Sequence, residues 1–173
     1  MKTIGHMIAA SAKLGLNYAD RLLNGISPDA FGSFARCAET SIESNHPAFI
    51  LGHLSLYAPR IVTELGGDDS EIRPSEKAIA LFSKDAECLD DPSCTIYPAM
   101  SEIVSQFRVG YEAAIHQLES ADDSQFTNQN PNEAMRKLFP TLGSMHAFYV
   151  GGHFMLHMGQ LSAWRRANGL GAA

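Results

Sequence analysis

The segment "GGHFMLHMGQLSAWRRANGL" (residues 151–170) carries two histidines four positions apart in a nearly uninterrupted apolar run. Its far end has the features of a helix C-terminus. Arg165 and Arg166 would complement the helix dipole there, and Gly169 would supply the left-handed residue that closes the last turn. The segment therefore predicts the end of a buried helix, which starts after Pro140 and is the fourth long helix of the chain.

The second long helix is predicted within "SNHPAFILGHLSLYAPRIVTELGG" (residues 44–67). Ser44 or Asn45 is the candidate N-cap, and the helix closes on Gly66. Pro59 lies inside it. Because an interior proline removes a hydrogen bond and clashes with the preceding turn, we expect a bend near Tyr57.

Two further segments, residues 3–23 and 101–118, place apolar side chains along one face at helical spacing. No series of strands bounded by hairpin turns is visible. At 173 residues the chain is long enough for one domain with a substantial core. We therefore expect an all-α fold over residues 1–173, a four-helix bundle with a long connection between helices 2 and 3.

Composition and charge narrow the range of partners. The formal charge is -6 and the basic residues are scattered, which argues against a nucleic-acid surface. The first residues resemble a secretory signal, but His6 interrupts an apolar stretch that is already too short for one. No window offers the roughly 18 charge-free apolar residues of a membrane span without histidines, prolines or paired glycines. We expect a cytoplasmic protein that binds neither nucleic acid nor a membrane.

Three histidines form a candidate metal site. His153 and His157 are one helical turn apart, so both imidazoles can reach one point. His53 lies in the middle of helix 2 on its apolar side, and it is the best third donor. Neutral imidazole binds zinc, nickel, copper and iron well, and a catalytic zinc takes three protein ligands and leaves one position open. The alternative is that each histidine is a hydrogen-bonded core residue.

Two other kinds of metal site fit the sequence poorly. The peptidase motif H-E-x-x-H needs a glutamate directly after its first histidine, where this chain has Phe154. A site of two histidines and one carboxylate needs an acidic ligand, and helix 4 has no Asp or Glu between Thr141 and Gly171. The predicted ligand set is therefore purely imidazole.

Several neighbours of these histidines have two interpretations each. Gln160, one turn beyond the last histidine, either fixes a ligand or substrate by a hydrogen bond or satisfies a backbone carbonyl. His146, two turns before the helix 4 pair, is a candidate for the surroundings of the site. Tyr57, one turn past the helix 2 histidine, either donates a proton to a substrate or packs in the core. Gly151 and Gly152 either open space beside the metal or admit a neighbouring helix.

Three stretches of the chain resemble the DinB-like family of four-helix metal proteins. The family pattern has G-H near the middle of helix 2, and H-x-x-x-H-x-G-Q followed by an arginine and G-L in helix 4. The matching stretches are "HPAFILGHL" (46–54), "TIYPAMSEIVSQF" (95–107) and the segment 151–170, so the likeness covers most of the chain. Phe49 replaces the usual aromatic, commonly tryptophan, before G-H, and Leu156 replaces a tyrosine. We expect both departures to alter the shape of the pocket.

The resemblance implies an up-down-down-up bundle, often found as a homodimer, in which His53, His153 and His157 hold one divalent metal ion, zinc or nickel. Members with assigned roles resemble thiol-dependent transferases and isomerases, in which the metal activates a low-molecular-weight thiol, with hydrolases beside them. A metal-dependent S-transferase or hydrolase acting on a small-molecule substrate is therefore expected. The alternatives are a non-catalytic, stress-related bundle that binds metal or ligand, favoured by four or more protein ligands, and a metal-free structural bundle.

Overall fold

The computed structural model describes residues 2–173, and most of them lie in helices, in agreement with the all-α class expected from the sequence. The helices are α1 (Thr3–Leu23), α2 (Pro28–Phe31), α3 (Pro47–Ser55), α4 (Ala58–Glu64), α5 (Glu76–Phe82), α6 (Met100–Ser120), α7 (Asp123–Phe126), α8 (Leu142–Ala147) and α9 (Phe154–Ala167). A π-helical segment (Phe148–His153) joins α8 to α9, and a 3₁₀ turn (Glu133–Met135) precedes α8. Within residues 2–173, no helix is both long and apolar enough to cross a membrane.

A small antiparallel sheet follows α2, in a region where no strand was predicted from the sequence. Its strands are β1 (Ala35–Cys37) and β2 (Thr40–Ile42), with Ala35 opposite Ile42. Only Ala35 of the two strands is buried, and β1 packs against α9. The strands are therefore a short surface feature on a helical fold.

The core lies between α1, α6, α9 and the α3–α4 pair. α6 packs against α1, α3 and α4, while α9 and the π-helical segment pack against α1. Tyr111 of α6 and Phe154 of α9 are fully buried and meet edge to face, with ring centroids 4.9 Å apart. α1 and α6 come close at Gly5, where a Cβ atom would lie 2.0 Å from the carbonyl oxygen of Leu118. A larger residue at this crossing would separate the two longest helices.

The bend expected near Tyr57 is present, because the helical run is interrupted between α3 and α4. Pro59, in the first turn of α4, has no N–H to donate. The amides of Leu56 and Tyr57 instead donate three residues back, to the carbonyls of His53 and Leu54. The turn leaves Tyr57 half-buried beside the end of α3.

The N-cap expected at Ser44 or Asn45 is instead His46. Its imidazole is fully buried, its Nδ1 accepts a hydrogen bond from the Phe49 amide at 3.3 Å, and its Nε2–H donates to the Leu89 carbonyl at 3.0 Å. The ring therefore caps α3 and ties it to the connection that leads from helix 2 to helix 3.

The fourth predicted helix is present but is not a regular α-helix throughout, because six of its residues are π-helical. It ends as expected at Gly169, whose φ is +72°. Arg165 was expected to complement the dipole of its own helix. It is buried, and its guanidinium donates to the carbonyls of Leu22, Asn24 and Leu170, so it also closes the end of α1.

Candidate metal centre

The structure brings the three histidines of the predicted metal site together. His53 lies near the end of α3, His153 is the last residue of the π-helical segment, and His157 lies in the first turn of α9. The Nε2 atom of His153 is 3.2 Å from Nε2 of His53 and 3.2 Å from Nε2 of His157. The ligand atoms of the three rings all lie within 4.8 Å of one another. The cluster can therefore hold a metal ion.

In two of these rings, a hydrogen bond at Nδ1, the nitrogen that faces away from the cluster, sets the tautomer. The Nδ1–H of His53 donates to the carbonyl oxygen of Phe82 at 2.8 Å, and the Nδ1–H of His157 donates to Oε1 of Gln160 at 2.8 Å. Each bond keeps the proton on Nδ1 and leaves the Nε2 lone pair aimed at the shared point. This is the arrangement that metal-binding histidines adopt, in which a second group orients the ring.

Gln160 orients the ring of His157 through this hydrogen bond. Its carboxamide oxygen accepts a hydrogen bond from the ring of a candidate ligand, which is the first of its two sequence-based interpretations. Nδ2 of Asn45, just before α3, also donates to this oxygen at 3.3 Å. Gln160 thus links α9 to the start of α3 and holds His157 in place.

The surroundings keep all three imidazoles neutral near pH 7. Burial lowers the pKa of His53 and of His157. Burial, together with the neighbouring rings of His157 and His53, lowers the pKa of His153 to about 3. Among residues 2–173, Nδ1 of His153 is one of the few buried polar side-chain atoms without a hydrogen-bond partner. Three neutral rings with converging nitrogens are a suitable donor set for a cation.

The spacing of the nitrogens also fits a metal ion. Metal–nitrogen bonds of about 2.0–2.1 Å at a tetrahedral angle would separate two ligating nitrogens by about 3.3 Å. The two Nε2–Nε2 separations of 3.2 Å are close to this value. Without a cation, His153 has a single ring proton to donate from Nε2, so at most one of these two contacts is a full hydrogen bond and lone pairs face each other at the other.

Tyr57 lies against the cluster. Its ring centroid is 4.4 Å from that of His153 and 5.2 Å from that of His53. Burial raises the pKa of the Tyr57 hydroxyl, so the group stays protonated near pH 7. Tyr57 also lines a cavity that His153 lines, so a protonated hydroxyl is available as a hydrogen-bond donor at that cavity.

His146 lies outside the cluster and has a different partner. It is fully buried in α8, and its Nε2 is 2.8 Å from Oε2 of Glu64 at the end of α4. Glu64 could not be identified from the sequence, because an acidic residue near a helix end is usually a solvated surface group. The pair connects α4 to α8.

A cavity of about 790 Å³ opens beside the histidines. His153, Tyr57, Arg60, Glu64 and Phe148 are among the residues that line it. A second, smaller recess of about 300 Å³ touches the other two histidines of the cluster. The histidine cluster therefore borders both openings.

The expectation that Leu156 shapes the pocket is wrong, because its side chain is 58% exposed on the outer side of α9. Phe49 does lie at the site, stacked parallel to His53 with ring centroids 6.3 Å apart. Neither Gly151 nor Gly152 admits a neighbouring helix, since a Cβ at the first would meet nothing within 4 Å and one at the second only the Phe148 ring.

In comparisons with known proteins, no protein-family model and no curated protein matches this chain. The resemblance to DinB-like proteins therefore depends on the residues quoted above.

Proposed function

We propose that this protein is a metal-dependent enzyme of the DinB-like kind, which transfers a low-molecular-weight thiol to a small electrophile or hydrolyses a small molecule. His53, His153 and His157 would hold one divalent ion, zinc or nickel. The observation that carries the proposal is the convergence of three neutral imidazoles beside a cavity of about 790 Å³. When bound, a divalent ion with three neutral ligands keeps its +2 charge and strongly lowers the pKa of a thiol or water.

The number of ligands favours an enzyme over a non-catalytic metal site. Among the His, Cys, Asp and Glu residues of the described chain 2–173, three side chains can share one ion. Structural zinc sites use four protein ligands, whereas catalytic sites use three and leave a position for water or substrate. The cavity that His153 lines provides space at that position.

The remaining parts of the proposal concern the bundle and its assembly. We propose an up-down-down-up arrangement of α1, α3–α4, α6 and α8–α9. It is supported by the connection of residues 65–99, which is long enough to cross the bundle between the second and third segments.

We also propose that the protein forms a homodimer. Its support is a set of exposed apolar side chains on the neighbouring helices α1 and α9, namely Met7, Leu14 and Leu156.

Within the site, the chain's own groups have separate tasks. Tyr57 donates a hydrogen bond to a substrate group in the cavity. Glu64 presents a carboxylate whose orientation is set by His146. Gln160 keeps His157 oriented. The half-buried position of these groups excludes bulk water from one side of the reacting molecule.

Cobalt-loaded protein tests the thiol reaction directly. We expect 2-mercaptoethanol to produce a sulfur-to-metal charge-transfer band in the near ultraviolet, and its S-methyl ether to produce none. His53→Ala, treated in the same way, is the control for cobalt that is not in the site. If cobalt is bound without such a band but ester hydrolysis depends on the metal, hydrolysis is the function. If neither is seen, the enzyme proposal is wrong.

A further inference from the structure

Charged side chains of the large cavity fall into two groups. Most have a partner: Lys84 pairs with Asp85 at 2.7 Å, Asp69 pairs with Arg73, and Glu64 accepts from His146. Arg60 differs. Within residues 2–173 no carboxylate lies within ion-pair distance of its guanidinium, although Glu64 is only four residues further along the chain.

Arg60 is exposed to solvent at the edge of the cavity, and its guanidinium lies against the ring of Tyr57. Its guanidinium carbon lies 5.3 Å from the centroid of the Tyr57 ring, a cation–π distance. The same ring packs against His153 with 4.4 Å between centroids. A row of guanidinium, phenol and imidazole therefore runs along the cavity wall, with the cation at its outer end.

Much of the remaining lining is apolar. It includes Ile79, Met135, Met145, Phe148 and Tyr149. A stacked pair of aromatic rings, Phe139 and Phe148 with centroids 4.5 Å apart, stiffens one side. Cavities with apolar walls and one polar anchor are typical of small-molecule sites, in which the anchor fixes orientation.

We propose that this cavity binds an apolar small molecule that carries one carboxylate, and that Arg60 is the residue that binds the carboxylate. A guanidinium donates two parallel hydrogen bonds to a carboxylate, which a neutral group cannot replace. The apolar part lies against Phe148 and Met145, and the end remote from the carboxylate faces His153. This deepens the proposed function, since the bound molecule would be the electrophilic substrate of the metal centre.

Two matched probes test the proposal on metal-free protein: 2-naphthoate and 2-naphthylmethanol, which share the ring system and differ in charge. Isothermal titration calorimetry should show that 2-naphthoate binds about tenfold more tightly, the usual gain from a charge-assisted pair. Arg60→Gln should remove this preference and leave 2-naphthylmethanol binding unchanged. Lys84→Gln, which removes a cavity cation that is already paired with Asp85, should keep the preference.

Three results would overturn the proposal. These are equal binding of the two probes, no binding of either, or a preference for 2-naphthoate that survives Arg60→Gln. A preference that appears only after zinc is added, and is insensitive to Arg60→Gln, would place the carboxylate on the metal instead. Because the first titrations need no metal, they remain decisive if the proposed function fails, and failure of carboxylate binding leaves metal binding intact.

Discussion

Gln160 shows at the scale of one residue how a ligand is oriented. Its carboxamide oxygen accepts the Nδ1–H of His157, and this bond turns the opposite nitrogen toward His53 and His153. The spacing in the sequence placed Gln160 on the correct face. Its partner atom could not be predicted, because a side-chain rotamer depends on the neighbours that the fold supplies.

We predict that Gln160→Ala weakens metal binding by about 10- to 100-fold, the usual cost of losing a group that orients a ligand. Competition with a fluorescent zinc chelator measures the affinity. Gln160→Glu keeps an acceptor oxygen at the same place and should retain most of the affinity. An alanine variant that binds zinc as tightly as the wild type would exclude a positioning role.

The contact partner of His146 could not be predicted from the sequence. Seven residues before His153, His146 would lie two turns away on the same face of a regular α-helix. The π-helical segment between them adds residues to a turn and changes that register. His146 therefore meets Glu64 rather than the three histidines.

At the scale of elements, α3 and α5 meet through a glycine. A Cβ at Gly52 would lie 2.4 Å from the ring of Phe82, which is buried between Phe49 and Tyr97. Only glycine lets α5 come this close, and this approach brings the Phe82 carbonyl to His53. The adjacent residues Gly52 and His53 therefore act together, because the absence of a side chain at Gly52 lets the Phe82 carbonyl reach the His53 ring.

We predict that Gly52→Ala displaces α5, costs about 1–3 kcal/mol of unfolding free energy through overpacking, and lowers zinc affinity about tenfold through the weakened bond to His53. Urea unfolding and chelator competition measure the two effects. Gly159→Ala is the control, since a Cβ there meets nothing within 4 Å. Equal behaviour of the two variants would contradict the proposed contact.

The C-terminal turns of α1 and α9 are tied by one side chain. Arg165→Met should lower the free energy of unfolding by about 2–4 kcal/mol, because it leaves the carbonyls of Leu22 and Asn24 without their donor. Its exposed neighbour gives a matched control: Arg166→Met should change stability by less than about 0.5 kcal/mol. Chemical denaturation followed by circular dichroism compares the two, and similar losses would refute the role of Arg165.

Long elements were predictable and short ones were not. Helical spacing of apolar residues, with proline and glycine punctuation, located α1, α6, the bent α3–α4 pair and the end of α9. The strands β1 and β2 carry little local signal, because most of their residues are exposed. The π-helical segment was also missed, since its extra residue per turn follows from tertiary packing rather than from the periodicity of the sequence.

At the scale of the whole molecule, buried histidines couple folding to pH. Burial lowers the pKa of His46, His53, His153 and His157 below the unfolded value of 6.5. Below that pH the unfolded chain takes up protons that the folded chain does not, so the free energy of unfolding falls as the pH drops. Carboxylates with lowered pKa, such as Asp91, stabilise the folded state above their unfolded pKa of 3.8, and this contribution is lost only as the pH falls below that value.

We therefore predict that the urea midpoint of metal-free protein decreases steadily between about pH 7 and pH 5, where these histidines titrate in the unfolded chain. Zinc should raise the midpoint at pH 7 and lose this effect toward pH 5, because protons compete with the metal for imidazole. Unfolding curves with and without a chelator measure both effects. A midpoint independent of pH over this range would contradict the buried, neutral state of the histidines.

The central claim is that three imidazoles from two distant parts of the chain share one cation. Elemental analysis of zinc-loaded protein, after dialysis against metal-free buffer, tests it most directly. We predict one ion per chain in the wild type, and a large loss in His53→Ala, His153→Ala and His157→Ala but not in His6→Ala, whose ring is exposed at the surface. A wild-type protein that retains no metal, or ligand variants that retain as much as the wild type, would contradict the claim.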